Sequence, residues 1–299
     1  MRDILKYTLL PLFLFQACSD EIKKEKFDID WIYSDEGRMV GASYNTAWIN
    51  DNTMYLMDMR KPKEERTLLK MNPSLSMKMV PVVDSEKISK SILSAVGRTD
   101  TSMYIEWPSS FSSTGNHGIY FFEEDIYMLD VPNESYRRVT NTKSEEKAAR
   151  FSPDGKKISF VRENDIYIYD IRTQKEKRIT FSGSETNLNG TVSWVYWEEI
   201  FGRKDLGYWW SDDSKAIAFL NTDESEVTKM HYVHWKPAES ELITQRYPKA
   251  GTKNPVVKLG IIELTSSKLK WVDLDPFEYL CRVKWLPGNK RLSVQTMNR

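Results

Sequence analysis

The chain has 299 residues, enough for one large domain or two ordinary ones, and at 40% hydrophobic and 29% charged it can build a core. Lys+Arg and Asp+Glu balance at 43 each, which argues against a nucleic-acid binder with its basic excess. Two cysteines and three histidines leave little for a disulfide scaffold or a multi-ligand zinc site, so no metal and no cofactor is expected.

Residues 1–17 read as an export signal. Arg2 and Lys6 form a short basic region, and the apolar run from Tyr7 to Phe15 is far below the roughly 20 residues that span a bilayer. Phe15-Gln16-Ala17-Cys18 resembles a bacterial lipobox. That resemblance implies cleavage before Cys18, lipidation of Cys18, and a membrane contact by lipid anchor at the periplasmic or outer-membrane face of the envelope. A plain signal peptide with an incidental cysteine is the alternative. Residues 18–27 are charged and read as a tether. Cys281, in the apolar stretch Tyr279-Leu280-Cys281, reads as a buried core thiol.

From residue 28 to 299 the pattern is all-β. Segments beginning at Ile119 and Ser159 repeat at an offset of 40 residues, with identical pairs Glu123/Glu163, Asp125/Asp165, Ile126/Ile166, Tyr127/Tyr167, Asp130/Asp170, Arg138/Arg178 and Thr140/Thr180. Within each copy, DIYMLDV and DIYIYDI alternate as half-buried strands do. A second landmark recurs in FSPDGKKISFV from Phe151, WSDDSKAIAFL from Trp210 and WLPGNKRLSVQ from Trp285, with a looser copy from Trp48. Each is an aromatic, a polar turn and an apolar strand, the layout of a hairpin whose second strand is buried. Four-stranded units of about 40 residues mark a β-propeller, and about five blades are expected. The intervals from Phe151 to Trp210 and from Trp210 to Trp285 exceed one repeat, so each holds an insertion, where function tends to sit.

The first insertion, Asn187 to Trp210, gathers Trp194, Tyr196, Trp197, Phe201, Tyr208, Trp209 and Trp210 around Glu198 and Glu199. On a strand these neighbouring carboxylates would face opposite ways. On a short helix they diverge by about 100° and can both reach one small cation. Two carboxylates framed by rings, with Trp194, Tyr196 and Trp197 as the pocket aromatics, suit an ammonium group. A solvated acidic pair on a surface helix is the other reading.

Trp194-Val195-Tyr196-Trp197-Glu198-Glu199-Ile200-Phe201 resembles the D-W-V-Y-E-E-E motif of dipeptidyl peptidase IV and its relatives, serine exopeptidases of the prolyl oligopeptidase group. Tyr208-Trp209-Trp210-Ser211, Ala216 to Leu220, Tyr247-Pro248-Lys249-Ala250-Gly251 with Asn254-Pro255, and Tyr279-Leu280-Cys281 with Trp285 resemble later family segments in the same order. The resemblance is dense from about Phe151 to Arg299. It implies an eight-bladed propeller capping an α/β-hydrolase domain, with this chain an incomplete N-terminal part. It also implies a peptide with a free N-terminus, gripped by Glu198 and Glu199 so that cleavage releases an Xaa-Pro dipeptide, and a homodimer. Two departures stand out: the family's leading Asp is Ser193 here, and the first of its three Glu is Trp197. A substrate-steadying Arg of an earlier family loop has its nearest match at Trp107-Pro108-Ser109-Ser110-Phe111-Ser112, with Pro108 in its place.

No G-x-S-x-G nucleophile elbow occurs, and His117, His231 and His234 all fall in propeller-like sequence. The spacing of His231 and His234 invites a metal reading that lacks a third ligand. The chain is therefore expected to be inactive alone, the recognition propeller of a serine exopeptidase whose hydrolase domain is missing from it or separate. The alternative is a non-catalytic, lipid-anchored propeller that binds peptides or envelope proteins.

Overall fold

The computed structural model describes residues 28–50, 52–99, 102–236 and 238–299. The expected export signal, Cys18 and the expected tether lie outside the described residues. The chain divides into two compact units, one ending at Ala42 and one running from Ser43 to Arg299. In the first, two short helices, α1 (Ile29–Tyr33) and α2 (Asp35–Gly41), are N-capped by the side chains of Asp28 and Ser34.

The second unit is a succession of antiparallel sheets. Strands β1 (Tyr44–Asn50), β2 (Thr53–Asp58), β3 (Leu69–Asn72) and β4 (Ser76–Pro81) pair in sequence order. Helix α3 (Ser85–Val96) follows, capped by Asp84 and closed by Gly97, and buries Ile88 and Ile92. The second sheet runs β5 (Ser110–Phe111), β6 (His117–Phe122), β7 (Asp125–Asp130), β8 (Ser135–Arg138), and the third β9 (Glu146–Phe151), β10 (Lys157–Arg162), β11 (Asp165–Asp170), β12 (Lys175–Arg178).

The fourth sheet starts from a strand in two pieces, β13 (Asn187–Asn189) and β14 (Tyr208–Trp210), which both pair with β15 (Ala216–Asp223). A hairpin, β16 (Lys229–His234) and β17 (Glu241–Arg246), separates β15 from β18 (Val256–Glu263) and β19 (Lys268–Trp271). Two further strands, β20 (Tyr279–Trp285) and β21 (Leu292–Met297), pair with each other. The described residues thus hold four propeller blades and the two-stranded sheet β20–β21.

The landmark turn is one device used repeatedly. In Phe111–His117, Phe151–Lys157, Trp210–Ala216 and Trp285–Arg291, the residue four after the aromatic has positive φ: Gly115, Gly155, Ser214 and Asn289. Each donates its N–H to the carbonyl of the residue just after the aromatic: Ser112, Ser152, Ser211 and Leu286. The serine hydroxyls also accept the N–H of the returning strand, at 3.1 Å (His117), 3.0 Å (Lys157) and 2.9 Å (Ala216). Neighbouring turns are stitched together: Ser113 Oγ donates to Pro153 O at 2.7 Å, Asp154 N to Ser214 Oγ at 3.0 Å, and Asp212 N to Asn289 Oδ1 at 2.8 Å.

The repeated Asp, Arg and Thr build a second device. Arg178 Nη2 donates to Asp165 Oδ2 while its Nε reaches Thr180 O, and Thr180 Oγ1 takes Ile166 N–H at 2.8 Å and donates to Asp165 Oδ1 at 2.6 Å. Arg138, Asp125 and Thr140 do the same one sheet earlier, except that Thr140 donates to Glu146 at 2.8 Å. Strands β7 and β11 do not alternate in burial as expected. Residues 125–129 and 165–169 are buried throughout, because sheets pack on both faces of each middle strand. Cys281 also departs from expectation: it is half-buried, and its neighbour Leu280 fills the core.

The first insertion leaves the sheet through a narrow neck. Gly190 N donates to Leu220 O at 3.0 Å, Leu220 N to Gly207 O at 2.8 Å, and Gly207 N to Gly190 O at 2.8 Å. Gly190 has φ +83°, and a Cβ there would sit 2.8 Å from Ile166 Cγ1. Replacing Gly190 by Ala combines left-handed strain with overpacking and is expected to destabilise by about 2–4 kcal/mol. Gly202→Ala, at φ +59° with open space around it, should lose only about 1 kcal/mol. Thr180→Val leaves buried groups unpaired and should lose about 1–3 kcal/mol. The exposed Lys143→Ala control should stay within about 0.5 kcal/mol. Urea unfolding of the full chain reads all four.

Candidate functional site

Beyond the neck, the chain turns into a single π-helical turn, Tyr196–Ile200. Trp197 N donates to Ser193 O at 2.9 Å and Phe201 N to Tyr196 O at 2.8 Å, so the motif is helical, as two converging carboxylates would need. Tyr196 anchors the turn. It is 1% exposed and lies against Val192, Ala218, Leu220 and Leu280 in the core, and its hydroxyl accepts Leu280 N–H from β20 at 3.0 Å. Burial pushes its phenol well above the ordinary tyrosine value. Arg282 Nη1 adds a bond to Ile200 O at 3.0 Å. Tyr196 is therefore a structural pin and not one of the pocket aromatics.

Trp194 and Trp197 do line a pocket, a polar cleft of about 900 Å³ between the insertion and the hairpin β16–β17. Trp194 stacks at a tilt on Tyr247, with ring centroids 4.6 Å apart. Glu185, Asp205, Glu224, Lys229 and Arg246 form the charged part of the lining. Burial raises the carboxyl pKa of Asp205, countered in part by Val192 N–H, which donates to it at 2.9 Å. Burial likewise raises Glu224, whose nearest counter-charge is Arg246 at 3.8 Å.

Glu198 and Glu199 are not among the residues that line this cleft. Arg203 grips Glu198 through Nε at 3.0 Å to Oε2 and Nη2 at 2.8 Å to Oε1. That hydrogen-bonded guanidinium holds the Glu198 carboxyl below the ordinary glutamate pKa. The Glu199 side chain is exposed and makes no ion pair among the described residues. Trp209 of β14 packs edge to face on Phe201 at 6.3 Å, and its strand neighbours Tyr208 and Trp210 reach Ser159 in the neighbouring sheet. Sequence reasoning missed Arg203, Asp205, Glu224 and Arg246, which belong to no motif. Arg246 alone carried a signal, standing just before Tyr247-Pro248.

The Trp107–Ser112 segment leads into the second sheet. Trp107 packs edge to face on Phe111 at 5.2 Å, Pro108 abuts Gly118, and Phe111-Ser112 is the landmark turn of the second sheet. His231 and His234 sit on β16, where His231 Nδ1 bonds Thr244 Oγ1 at 2.8 Å and His234 lies 4.0 Å from Glu241. Among the described residues no cluster of three or more His, Cys, Asp or Glu could hold a metal ion.

The scattered segments of the sequence resemblance interlock around this insertion. Trp194 meets Tyr247, Tyr196 meets Leu280, Asn254 Nδ2 donates to Tyr279 Oη at 2.8 Å, and Trp285 Nε1 to Trp209 O at 3.1 Å. A search of solved structures finds the same fold in dipeptidyl peptidase 4 of Porphyromonas gingivalis, at TM-score 0.71 and 24% identity, covering 92% of this chain and 39% of that one. Among curated proteins, a probable dipeptidyl peptidase 4 of Emericella nidulans is 27% identical over 249 residues, 79% of this chain and 31% of its own length. Prolyl endopeptidase FAP of Mus musculus is 29% identical over 185 residues, 60% of this chain and 24% of its own. The chain thus spans under a third of these two relatives. The profile of the dipeptidyl peptidase IV N-terminal region matches residues 95–299. The chain belongs to that family, the N-terminal region of dipeptidyl peptidase IV.

Proposed function

We propose that the chain is the substrate-selecting propeller of a dipeptidyl-peptidase-IV-like serine exopeptidase, with the hydrolytic chemistry in an α/β-hydrolase domain outside this sequence. The observation that carries the reading is the pinched insertion. A Trp-Val-Tyr-Trp-Glu-Glu segment is lifted from the first strand of a blade and fixed by Tyr196 beside a cleft. A rigidly mounted anion measures distance from a peptide's ammonium group, which is how an exopeptidase would register its substrate. Glu199, with its free carboxylate, takes the ammonium, and Glu198 supports it.

Export and a lipid anchor at Cys18 form part of the same proposal, as does a homodimer. For the last, the exposed apolar side chains Trp235 and Leu242 of the β16–β17 hairpin segment offer a contact surface. No helix among the described residues is long and apolar enough to cross a membrane. The non-catalytic reading keeps the same binding chemistry and differs only in lacking a hydrolase partner.

Binding of alanyl-proline amide, measured by calorimetry, should fall about tenfold in Glu199→Gln and be abolished by acetylating the peptide. Equal binding of the acetylated peptide rejects the recognition role. Supplying a family hydrolase domain in trans should yield Xaa-Pro cleavage that Glu198→Ala and Glu199→Gln both depress; cleavage indifferent to either favours the non-catalytic reading. Cys18→Ser should move the protein from the membrane to the soluble fraction and remove palmitate labelling.

A further inference from the structure

We infer that the cleft between the insertion and the β16–β17 hairpin is a cation site separate from Glu199: it takes a primary alkylammonium group on an apolar stem, as a lysine side chain carries, with Asp205 and Ser193 accepting the ammonium between aromatic walls.

The charges of the cleft leave one carboxylate uncompensated. Glu185 pairs with Lys229 at 3.3 Å. Glu224 lies 3.8 Å from Arg246, whose Nη1 also donates to Ser225 O and Val227 O at 3.0 Å each. Lys147 and Glu145, whose charges also act on Asp205, pair with each other at 3.1 Å. Asp205 is half-buried and has no ion pair among the described residues; its one hydrogen bond is that of Val192 N–H on Oδ1, so Oδ2 accepts nothing. A carboxylate withdrawn from water without a counter-charge is stabilised by any cation that reaches it.

A second, independent group stands beside it. Ser193 follows the Val192 that Asp205 holds, lines the same cleft and is 4% exposed, and its hydroxyl has no hydrogen-bond partner. A buried hydroxyl left unpaired costs free energy that an ammonium N–H recovers. Trp194, Trp197 and Tyr232 supply ring walls, which favour a cation, and Leu188 and Val192 supply apolar surface for an alkyl stem.

The acceptors select ammonium over guanidinium. A guanidinium pairs best with both oxygens of one carboxylate, and Oδ1 of Asp205 already holds Val192 N–H. An ammonium needs only single oxygens, here Asp205 Oδ2 and Ser193 Oγ.

Calorimetry of the full chain with Nα-acetyl-lysine amide tests this, because the blocked amino group leaves the side-chain ammonium as the ligand's only positive charge. Acetyl-norleucine amide, with the stem but no charge, should bind at least about tenfold more weakly, and acetyl-arginine amide about threefold more weakly. Asp205→Asn keeps an acceptor for Val192 N–H and should weaken acetyl-lysine amide about tenfold, Ser193→Ala about threefold, and Glu199→Gln less than about twofold, with circular dichroism confirming that the variants fold. Equal binding of acetyl-norleucine amide by the unaltered chain overturns the inference, as do tighter binding of acetyl-arginine amide, indifference to Asp205→Asn, a loss on Glu199→Gln instead, or no binding at all. Butylamine separates the sources of the ammonium: Asp205-dependent binding equal to that of acetyl-lysine amide supports a free amine, and weaker binding supports a lysine side chain in a peptide.

Discussion

The buried carboxylate of Asp165 is the interaction on which the position of the insertion depends. It is fully inaccessible and accepts from Arg178 and Gly183 N on one oxygen and from Thr180 and Asn189 on the other. A buried carboxylate is tolerated only when it is so fully satisfied, because its desolvation otherwise runs to several kcal/mol. Three of the donors belong to its own sheet and the turn that leaves it. The fourth, Asn189, belongs to the next sheet and immediately precedes Gly190. The ion that completes one blade therefore fixes the residue from which the insertion departs, and Asn189 N–H to Asn164 O at 3.0 Å reinforces that junction.

The same three residue types one sheet earlier show what is specific to this junction. Asp125 accepts from Arg138 and Thr142 N, and the Thr140 hydroxyl donates to Glu146, which Arg162 also contacts at 3.3 Å. There the network runs on through Arg162 to Glu176 inside the following sheet, whose first strand extends from Glu146 to Phe151 without a gap. At Asp165 it ends on a strand that stops after three residues and resumes at Tyr208. The excursion between the two pieces is tolerated because β15 pairs with both, so the sheet loses little of its ladder.

Much of the fold was legible because its signals are local. The turns after Phe151 and Trp210 announce themselves by a serine that caps and a residue that takes positive φ, and the turn after Trp285 by Pro287-Gly288-Asn289. The equivalent turn after Phe111 went unread because Ser113-Thr114-Gly115 replaces the Pro-Asp-Gly pattern. The helical nature of the Glu198-Glu199 segment was legible from its spacing and its resemblance. Its partners were not. Whether Tyr196 faces the cleft or the core depends on β20, more than eighty residues later. Whether Glu198 is free depends on the backbone at Gly202 and Arg203, which no motif encodes.

Rigidity and exposure are divided along the insertion in a way that suits recognition. Its base is held by the Gly190–Leu220–Gly207 bonds and its middle by Tyr196 in the core and Arg282 on Ile200. Its tip, Gly202 to Lys204, is exposed. Loops that bind ligands come from the less stable parts of a fold, and they discriminate well only when a stiff scaffold sets their position. Here Tyr196 and the backbone bonds at the base involve no ionised group and ionic strength barely affects them, while Arg282, the Glu198–Arg203 pair and Glu199 lie toward solvent, where salt screens charge. Placement of the turn is thus insulated from solution conditions, and the strength of any charge recognition on it is not.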